Sequence, residues 1–349
     1  EQGLLTDGNI IGQVEKLRLT GNTYDIGDDS HILMLGDKSR NSAIGHQLSF
    51  LAFTRGYLAA VVSGEKPYGL GQDFAGKEAK AAIIKYDMEV IGFEDGYQGL
   101  IDNRYRRLDY ESVSGILATG GTILGTSNKA NPFQYWVKEG NEFKAIDVSD
   151  RVIGNYEEHD LDALVCIGGD GTLTVAHRLS EIGLNVVGIP KTIDNDLYGT
   201  DQTFGFDSAV NIITDAIDRI HTTAMSHHRA MVIEVMGRNA GWLALTAGVA
   251  GGADIILIPE IEYSLDVVCK RVEERSRRGK RFSIVVVAEG AKEKGGKQIV
   301  ERIVKDSPDP VRLGGVGKHV ADQIEDRTDI ESRVTILGHL QRGGPPSPL

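Results

Sequence analysis

The chain has 349 residues, enough for a large core and, by size, two domains. Its hydrophobic content of 41% and charged content of 25% fit an ordinary globular protein. A formal net charge of −12 argues against nucleic acid or an anionic membrane as partner, and no uninterrupted apolar run is long enough to span a bilayer.

The opening Glu1-Gln2-Gly3 lacks the basic-then-apolar pattern of a secretory signal. Cys166 and Cys269 lie far apart in apolar or amphipathic segments, as buried reduced thiols do, so the cytoplasm is the expected location. Residues 1 to about 50 are rich in Gly, Asp and Asn, with one apolar run at 32–35, and read as an extension packed on the main body. Gly71, Gly76 and Lys77 have P-loop spacing, but Glu78 stands where a hydroxyl must hold magnesium, which excludes that motif. From Leu58 onward, short β-branched runs alternate with amphipathic stretches. Strands are expected at 59–62, 89–93, 163–167, 186–189, 230–235, 254–258, 283–287 and 334–337. Helices are expected at 206–220, 242–250 and 265–278. The alternation predicts an α/β chain with two doubly wound, mostly parallel (Rossmann-like) sheets and the active site between them. Ligands in such sheets sit at the carboxyl ends of strands, near a switch point.

Two of these runs deliver carboxylates into loops. The first is followed by Gly168-Gly169-Asp170-Gly171-Thr172, which opens a helix. Glycines let backbone N–H groups approach a phosphate, and the helix start presents its donors. Asp170 would repel a bare phosphate, so it points either to a divalent metal bridging it to the phosphates or to a helix cap in a tight turn. The second run is followed by Pro190-Lys191-Thr192-Ile193-Asp194-Asn195-Asp196. One carboxylate suits a base for an attacking hydroxyl and the other a metal ligand; a turn rich in Asx residues is the alternative. Lys191 would help keep Asp194 ionised. Further on, Ser226-His227-His228-Arg229 ends a helix and Met236-Gly237-Arg238 follows a strand. Arg333 precedes the final strand, and His339 and Arg342 follow it. Arginine forks suit phosphate, whereas a surface ion pair is the alternative for any one of them. Glu289 follows an apolar run, placed to accept hydroxyl hydrogen bonds or to cap the next helix. Arg277, Arg278, Lys280 and Arg281 read as a solvated helix end.

In order along the chain, these residues resemble the 6-phosphofructokinase family from about Leu58 onward. The resemblance is carried by Gly92-Phe93-Glu94-Asp95-Gly96-Tyr97, Gly120-Gly121-Thr122-Ile123-Leu124-Gly125-Thr126, the two acidic loops, Met236-Gly237-Arg238, Ala288-Glu289-Gly290 and Gly338-His339-Leu340-Gln341-Arg342-Gly343-Gly344. Diacylglycerol and NAD kinases share a Gly-Gly-Asp-Gly loop but lack the later elements. The resemblance implies transfer of a phosphoryl group from ATP-Mg to the 1-hydroxyl of fructose 6-phosphate, giving the 1,6-bisphosphate. It implies Asp194 as the base, with Thr192 and Arg238 facing the transferred phosphate. Asp170 and Asp196 would serve Mg2+. Lys191, Asp196, Arg229, Met236, Gly237, Glu289, Arg333, His339 and Arg342 would line the sugar-phosphate site, Arg229 and Arg333 reaching in from a neighbouring subunit. Gly64, Asn128, Lys129, Gly169, Asp170, Gly171 and Thr172 would lie along the donor. It also implies a homo-oligomer, dimer or tetramer, with shared sites. The domains would be an extension at 1–56, a phosphate-donor-binding domain at 57–205 and a sugar-phosphate-binding domain at 206–349.

In the family, Asp at the position of Gly171 goes with pyrophosphate, and glycine leaves room for ATP. Lys191 is a feature of the pyrophosphate enzymes. The pair together resembles the long ATP-dependent type, so ATP is the expected donor and pyrophosphate the alternative. Three features depart from the family. The first glycine loop reads Gly64-Glu65-Lys66-Pro67-Tyr68-Gly69-Leu70-Gly71, Asn128-Lys129 stands where an arginine is common, and the family continues past the position of Leu349. They leave open a non-catalytic sugar-phosphate-binding regulatory paralogue.

Overall fold

The β-branched runs form two sheets, each in its own contact-defined unit. A computed structural model describes residues 23–25, 31–33, 58–63, 83, 88–116, 119–127, 129–140, 142–303 and 311–347. The first unit takes the described residues up to Thr192 with Leu197–Phe204 and Gly344–Pro346; the second takes Ile193–Asp196, Gly205–Gly343 and Ser347.

In the first unit β3 (Leu58–Ser63) lies parallel to β4 (Glu89–Phe93) on one side and β8 (Ala163–Gly168) on the other. β9 (Val186–Thr192) continues the parallel set beyond β8, and β5 (Tyr105–Leu108) closes the β4 edge antiparallel. With β10 (Phe204–Gly205) the order is β10-β9-β8-β3-β4-β5. The chain leaves β3 for β4 and returns on the opposite side at β8, which makes the carboxyl end of β3 a switch point. Leu164 and Cys166 enter a core with α1 (Tyr97–Asp102), α2 (Ser149–Glu158) and α3 (Asp170–Glu181). Val165 and Ile167 enter a second core with Leu108, Val113 and Leu124. Burial on both faces is why β8 is an unbroken apolar run rather than an alternating one. It also pushes the Cys166 thiol up to about 12, and both cysteines are buried and free.

Two small antiparallel ribbons join this unit. β1 (Thr23–Asp25) pairs with β2 (His31–Leu33), which lies against β9 and α3. β6 (Tyr135–Glu139) pairs with β7 (Glu142–Ile146).

The second unit has an all-parallel sheet in the order β12-β13-β11-β16. Its elements are α4 (Phe206–His227), β11 (Ala230–Val235), α5 (Trp242–Ala250), β12 (Ile255–Leu257), α6 (Leu265–Arg277), β13 (Ser283–Ala288), the ribbon β14 (Val300–Ile303) and β15 (Val311–Leu313), α7 (Val316–Arg327), β16 (Ser332–Ile336) and a 3-10 turn at Gly338–Arg342. Val232, Val285 and Val287 form a core with α6 and α7, and α4 and α5 also pack on the sheet. One charge sits inside this apolar setting. Glu234 is 3% exposed, and its carboxylate accepts the backbone N–H groups of Gly315 at 3.1 Å and Gly317 at 2.7 Å. These are donors that the start of α7 leaves without helical partners, so each end satisfies the other.

Some boundaries differ from expectation. β9 runs through Pro190 to Thr192, so the acidic loop begins at Ile193. Leu164 N–H donates to the Asn185 carbonyl, and alternate residues then face the same neighbour, so Pro190 faces away from β8 and interrupts nothing there. Arg333 lies inside β16, opposite Met231, rather than before the strand; β16 is a sheet edge, where polar residues are tolerated. α4 extends to His227 because Ala224 keeps the buried stripe going past the Thr-rich turn.

The Tyr97 hydroxyl, on α1, donates to the Thr172 carbonyl in α3 at 2.8 Å in a buried setting. Tyr97→Phe is expected to lower stability by about 1 kcal/mol, read from the urea midpoint, with the native circular dichroism unchanged.

Candidate active site

At the carboxyl end of β4 the chain turns sharply through Asp95 and Gly96, both with positive φ (57° and 64°). Asp95 N–H donates to the Leu124 carbonyl at 2.8 Å, and Arg104 donates to the Asp95 carboxylate at 3.0 Å. A Cβ on Gly125 would sit 2.5 Å from that carboxylate. The motifs around Gly92–Tyr97 and Gly120–Thr126, separate in sequence, are thus packed on one another.

At the carboxyl end of β8, Gly169 is the N-cap of α3 and Asp170 its first residue. The cap alternative for Asp170 is therefore not realised. Asp170 and Gly171 are exposed at the helix start, whose amide donors suit an anion. Thr172 is buried, and its Oγ1 has no hydrogen-bond partner among the described residues. A Cβ on Gly168 would fall 2.3 Å from that oxygen, so the strand-to-helix turn closes only around glycine. Lys191 and Thr192 are buried in β9, and the Thr192 carbonyl accepts the Thr203 hydroxyl at 2.7 Å. Lys129 is exposed. Gly64, the whole Gly64–Gly71 loop, the P-loop-like stretch at 71–78 and Asn128 lie outside the described residues.

In the second unit, three adjacent strands release their loops at one edge: Glu289-Gly290 after β13, Met236-Gly237-Arg238 after β11, and the 3-10 turn bearing His339 and Arg342 after β16. Arg238 has φ +49°, and its N–H donates to Glu289 Oε1 at 3.1 Å. A Cβ on Gly290 would lie 1.7 Å from the Arg238 carbonyl oxygen, and Gly237 has φ +124°. Both glycines are needed for this close approach. No helix follows Glu289 directly, so it is a partner for the loop after β11 and not a helix cap.

Burial pushes the Glu289 carboxyl up to about 7. The Arg238 N–H works against that rise, the charge of Asp194 adds to it, Arg342 lowers it and Glu234 raises it. Asp194 therefore stands electrostatically with Glu289 and Arg342. Ile193–Asp196 group with this unit; Asp194 and Asn195 are half-buried, Asn195 has φ +54°, and Asp196 is exposed.

Arg229 and Arg333 lie at the opposite edge, where β11 and β16 begin. Arg229 Nε meets Glu331 at 2.7 Å, and Arg333 binds the same carboxylate and approaches Glu325 at 3.6 Å. The Arg229 hydrogen bond holds the Glu331 carboxyl below the usual carboxylate range. Within one chain both arginines are thus engaged in ion pairs. Six residues of β11 separate Arg229 from the loop carrying Arg238, about 20 Å at ~3.3 Å per residue. The two arginines therefore stand at opposite ends of the sheet. Arg277 pairs with Glu273 at 2.8 Å in an exposed basic helix end, as expected.

Glu234, Glu331 and Gln341 were not singled out in the sequence. A charge inside the apolar run Ala230–Val235 was the available signal for Glu234; the other two are visible only once β11 and β16 are paired. Among the described residues no three His, Cys, Asp or Glu side chains cluster to hold a metal, and no helix is long and apolar enough to cross a membrane.

Comparison with known proteins gives a consistent result. The phosphofructokinase family model matches residues 69–349. The chain is 55% identical over 267 residues to an ATP-dependent 6-phosphofructokinase 2 of Clostridium perfringens, covering 76% of this chain and 73% of that one. It is 48% identical over 284 residues to an ATP-dependent 6-phosphofructokinase of Propionibacterium freudenreichii, covering 76% and 75%. A solved phosphofructokinase from Saccharomyces cerevisiae superposes with a TM-score of 0.67 at 30% identity; the match covers 83% of this chain but only 39% of the yeast one.

A raised Glu289 carboxyl favours the fold while protonated. Its contribution is complete below about pH 4.5 and is lost as pH rises through about 7. Glu289→Gln is expected to stabilise the protein above pH 7 by up to about 3 kcal/mol, the gain vanishing toward pH 4.5, read from urea midpoints across that range.

Proposed function

Because this chain belongs to the phosphofructokinase family, we propose that it carries out ATP-dependent phosphorylation of fructose 6-phosphate, a step of glycolysis, with Asp194 as the general base. What supports the choice of base is its company. Asp194 is half-buried in the loop grouped with the second unit, and its charge acts on Glu289, which holds the loop carrying Arg238. A carboxylate so placed takes the proton of the 1-hydroxyl as its oxygen attacks phosphorus. Arg238 faces the transferred phosphoryl group and offsets its charge.

The acceptor binds on the second unit. Glu289 keeps an oxygen for a sugar hydroxyl, and Met236, Gly237, His339 and Arg342 line the same edge, with Asp196 in the loop grouped with this unit. Arg229 and Arg333, on the far edge, bind the 6-phosphate held by a neighbouring copy. This makes the working form a homo-oligomer, dimer or tetramer, with Glu331 releasing the arginines as the phosphate arrives.

The donor binds on the first unit. The amides of Gly169, Gly171 and Thr172 at the start of α3 receive its phosphates, with Gly64, Asn128 and Lys129 along it. Gly171 brings no side chain and leaves space for a nucleotide. Lys191, the feature associated with pyrophosphate, is 2% exposed within β9, and the ATP-dependent relatives support ATP. Asp170 and Asp196 are exposed carboxylates, and Mg2+ takes one or two carboxylates and draws the rest of its ligands from phosphates and water. Mg2+ held by these carboxylates would neutralise charge on the donor phosphates. The cytoplasm, where reduced buried thiols persist, is the proposed location.

Asp194→Asn is expected to lower kcat by about a thousandfold or more while fructose 6-phosphate still binds within a few-fold of wild type, from a coupled assay and calorimetry. Near-wild-type turnover would remove Asp194 from its role. Gly171→Asp is expected to cut kcat/KM for ATP by at least about tenfold through repulsion and lost space at the helix start. Faster wild-type turnover with pyrophosphate than with ATP would overturn the donor assignment.

A further inference from the structure

We propose that Gln341 is a positioning residue for the acceptor site, its side-chain amide replacing one rung of the β11–β16 ladder. The proposal rests on reading this sheet edge as the sugar-phosphate site. Glu234 lies opposite Ile336, and Leu337 N–H donates to the Glu234 carbonyl at 3.1 Å. In a regular parallel ladder the next bond would run from Met236 N–H to the Leu337 carbonyl. Here that carbonyl is taken, because the chain turns at Gly338 and Leu340 N–H donates to it at 3.0 Å. Met236 N–H instead donates to Gln341 Oε1 at 3.3 Å.

The other end of the same amide closes the turn: Gln341 Nε2 donates to the Gly338 carbonyl at 2.9 Å. Gln341 is 1% exposed, so neither bond has water as a substitute. The two groups it ties together begin the two segments that carry the chemistry. Met236 leads into Gly237 and Arg238, and Gly338 leads into His339 and Arg342. Only a side chain with an acceptor and a donor at this reach satisfies both. Leucine has neither, and an ionised glutamate keeps the acceptor but turns a second oxygen toward the Gly338 carbonyl.

The test is steady-state kinetics of the full-length protein, with both substrates varied. Gln341→Leu, close in volume, is expected to raise KM for fructose 6-phosphate by about tenfold and leave KM for ATP within about twofold. Gln341→Glu should shift the same constant in the same direction and serves if the leucine variant does not fold. A purely structural role would not produce this split. An unchanged KM for fructose 6-phosphate in either folded variant, or an equal rise in both constants, overturns the proposal. If the wild-type protein itself neither binds nor phosphorylates fructose 6-phosphate, the acceptor reading fails, and the proposal fails with it.

Discussion

A parallel sheet puts the carboxyl ends of all its strands on one edge, and that constraint decides where the chemistry of this chain can gather. β11, β13 and β16 are neighbours in the second sheet, so three loops far apart in sequence emerge side by side. Each of those loops carries residues of the proposed acceptor site. In the first sheet, β4 and β8 likewise release the Asp95–Gly96 turn and the Gly168–Thr172 loop along one edge. Burial on both faces of each sheet makes the direction and register hard to change without exposing a core.

Polar groups placed inside this apolar frame then set the loops. Glu234 ties the middle of the second sheet to the start of α7, and Glu289 holds the backbone of Arg238. Gln341 bridges the ends of β11 and β16. Each would be costly to bury alone, and each is satisfied by backbone groups that the turn or helix start leaves over. The close contacts at Gly237 and Gly290 are the steric side of the same arrangement.

Much of the frame was legible because buried parallel strands are written as continuous apolar runs: 89–93 and 230–235 match their strands to the residue. Strands with exposed or polar faces left no such mark. β5 reads Tyr-Arg-Arg-Leu, and β14 is exposed at every position. Pro190 hid the end of β9, because whether a missing N–H matters depends on which neighbour it faces. In the site, charge and spacing singled out Asp170, Asp194, Arg238 and Glu289, but not the ladder bond of Gln341, which exists only once two strands are paired. The strand expected at 230–235 already puts Arg229 and Arg238 at its opposite ends.

That separation supports the central proposal, an acceptor site shared by two copies of the chain, one supplying Asp194 and Arg238 and the other Arg229 and Arg333. Subunit complementation tests it most directly. Asp194→Asn and Arg229→Ala chains, each nearly inactive alone, are unfolded together and refolded as mixed oligomers. Sites that combine the Asp194 of one chain with the Arg229 of the other are intact, so about a quarter of wild-type activity is expected, one half of one half for random pairing. Mixed oligomers no more active than the separate variants would contradict the shared site.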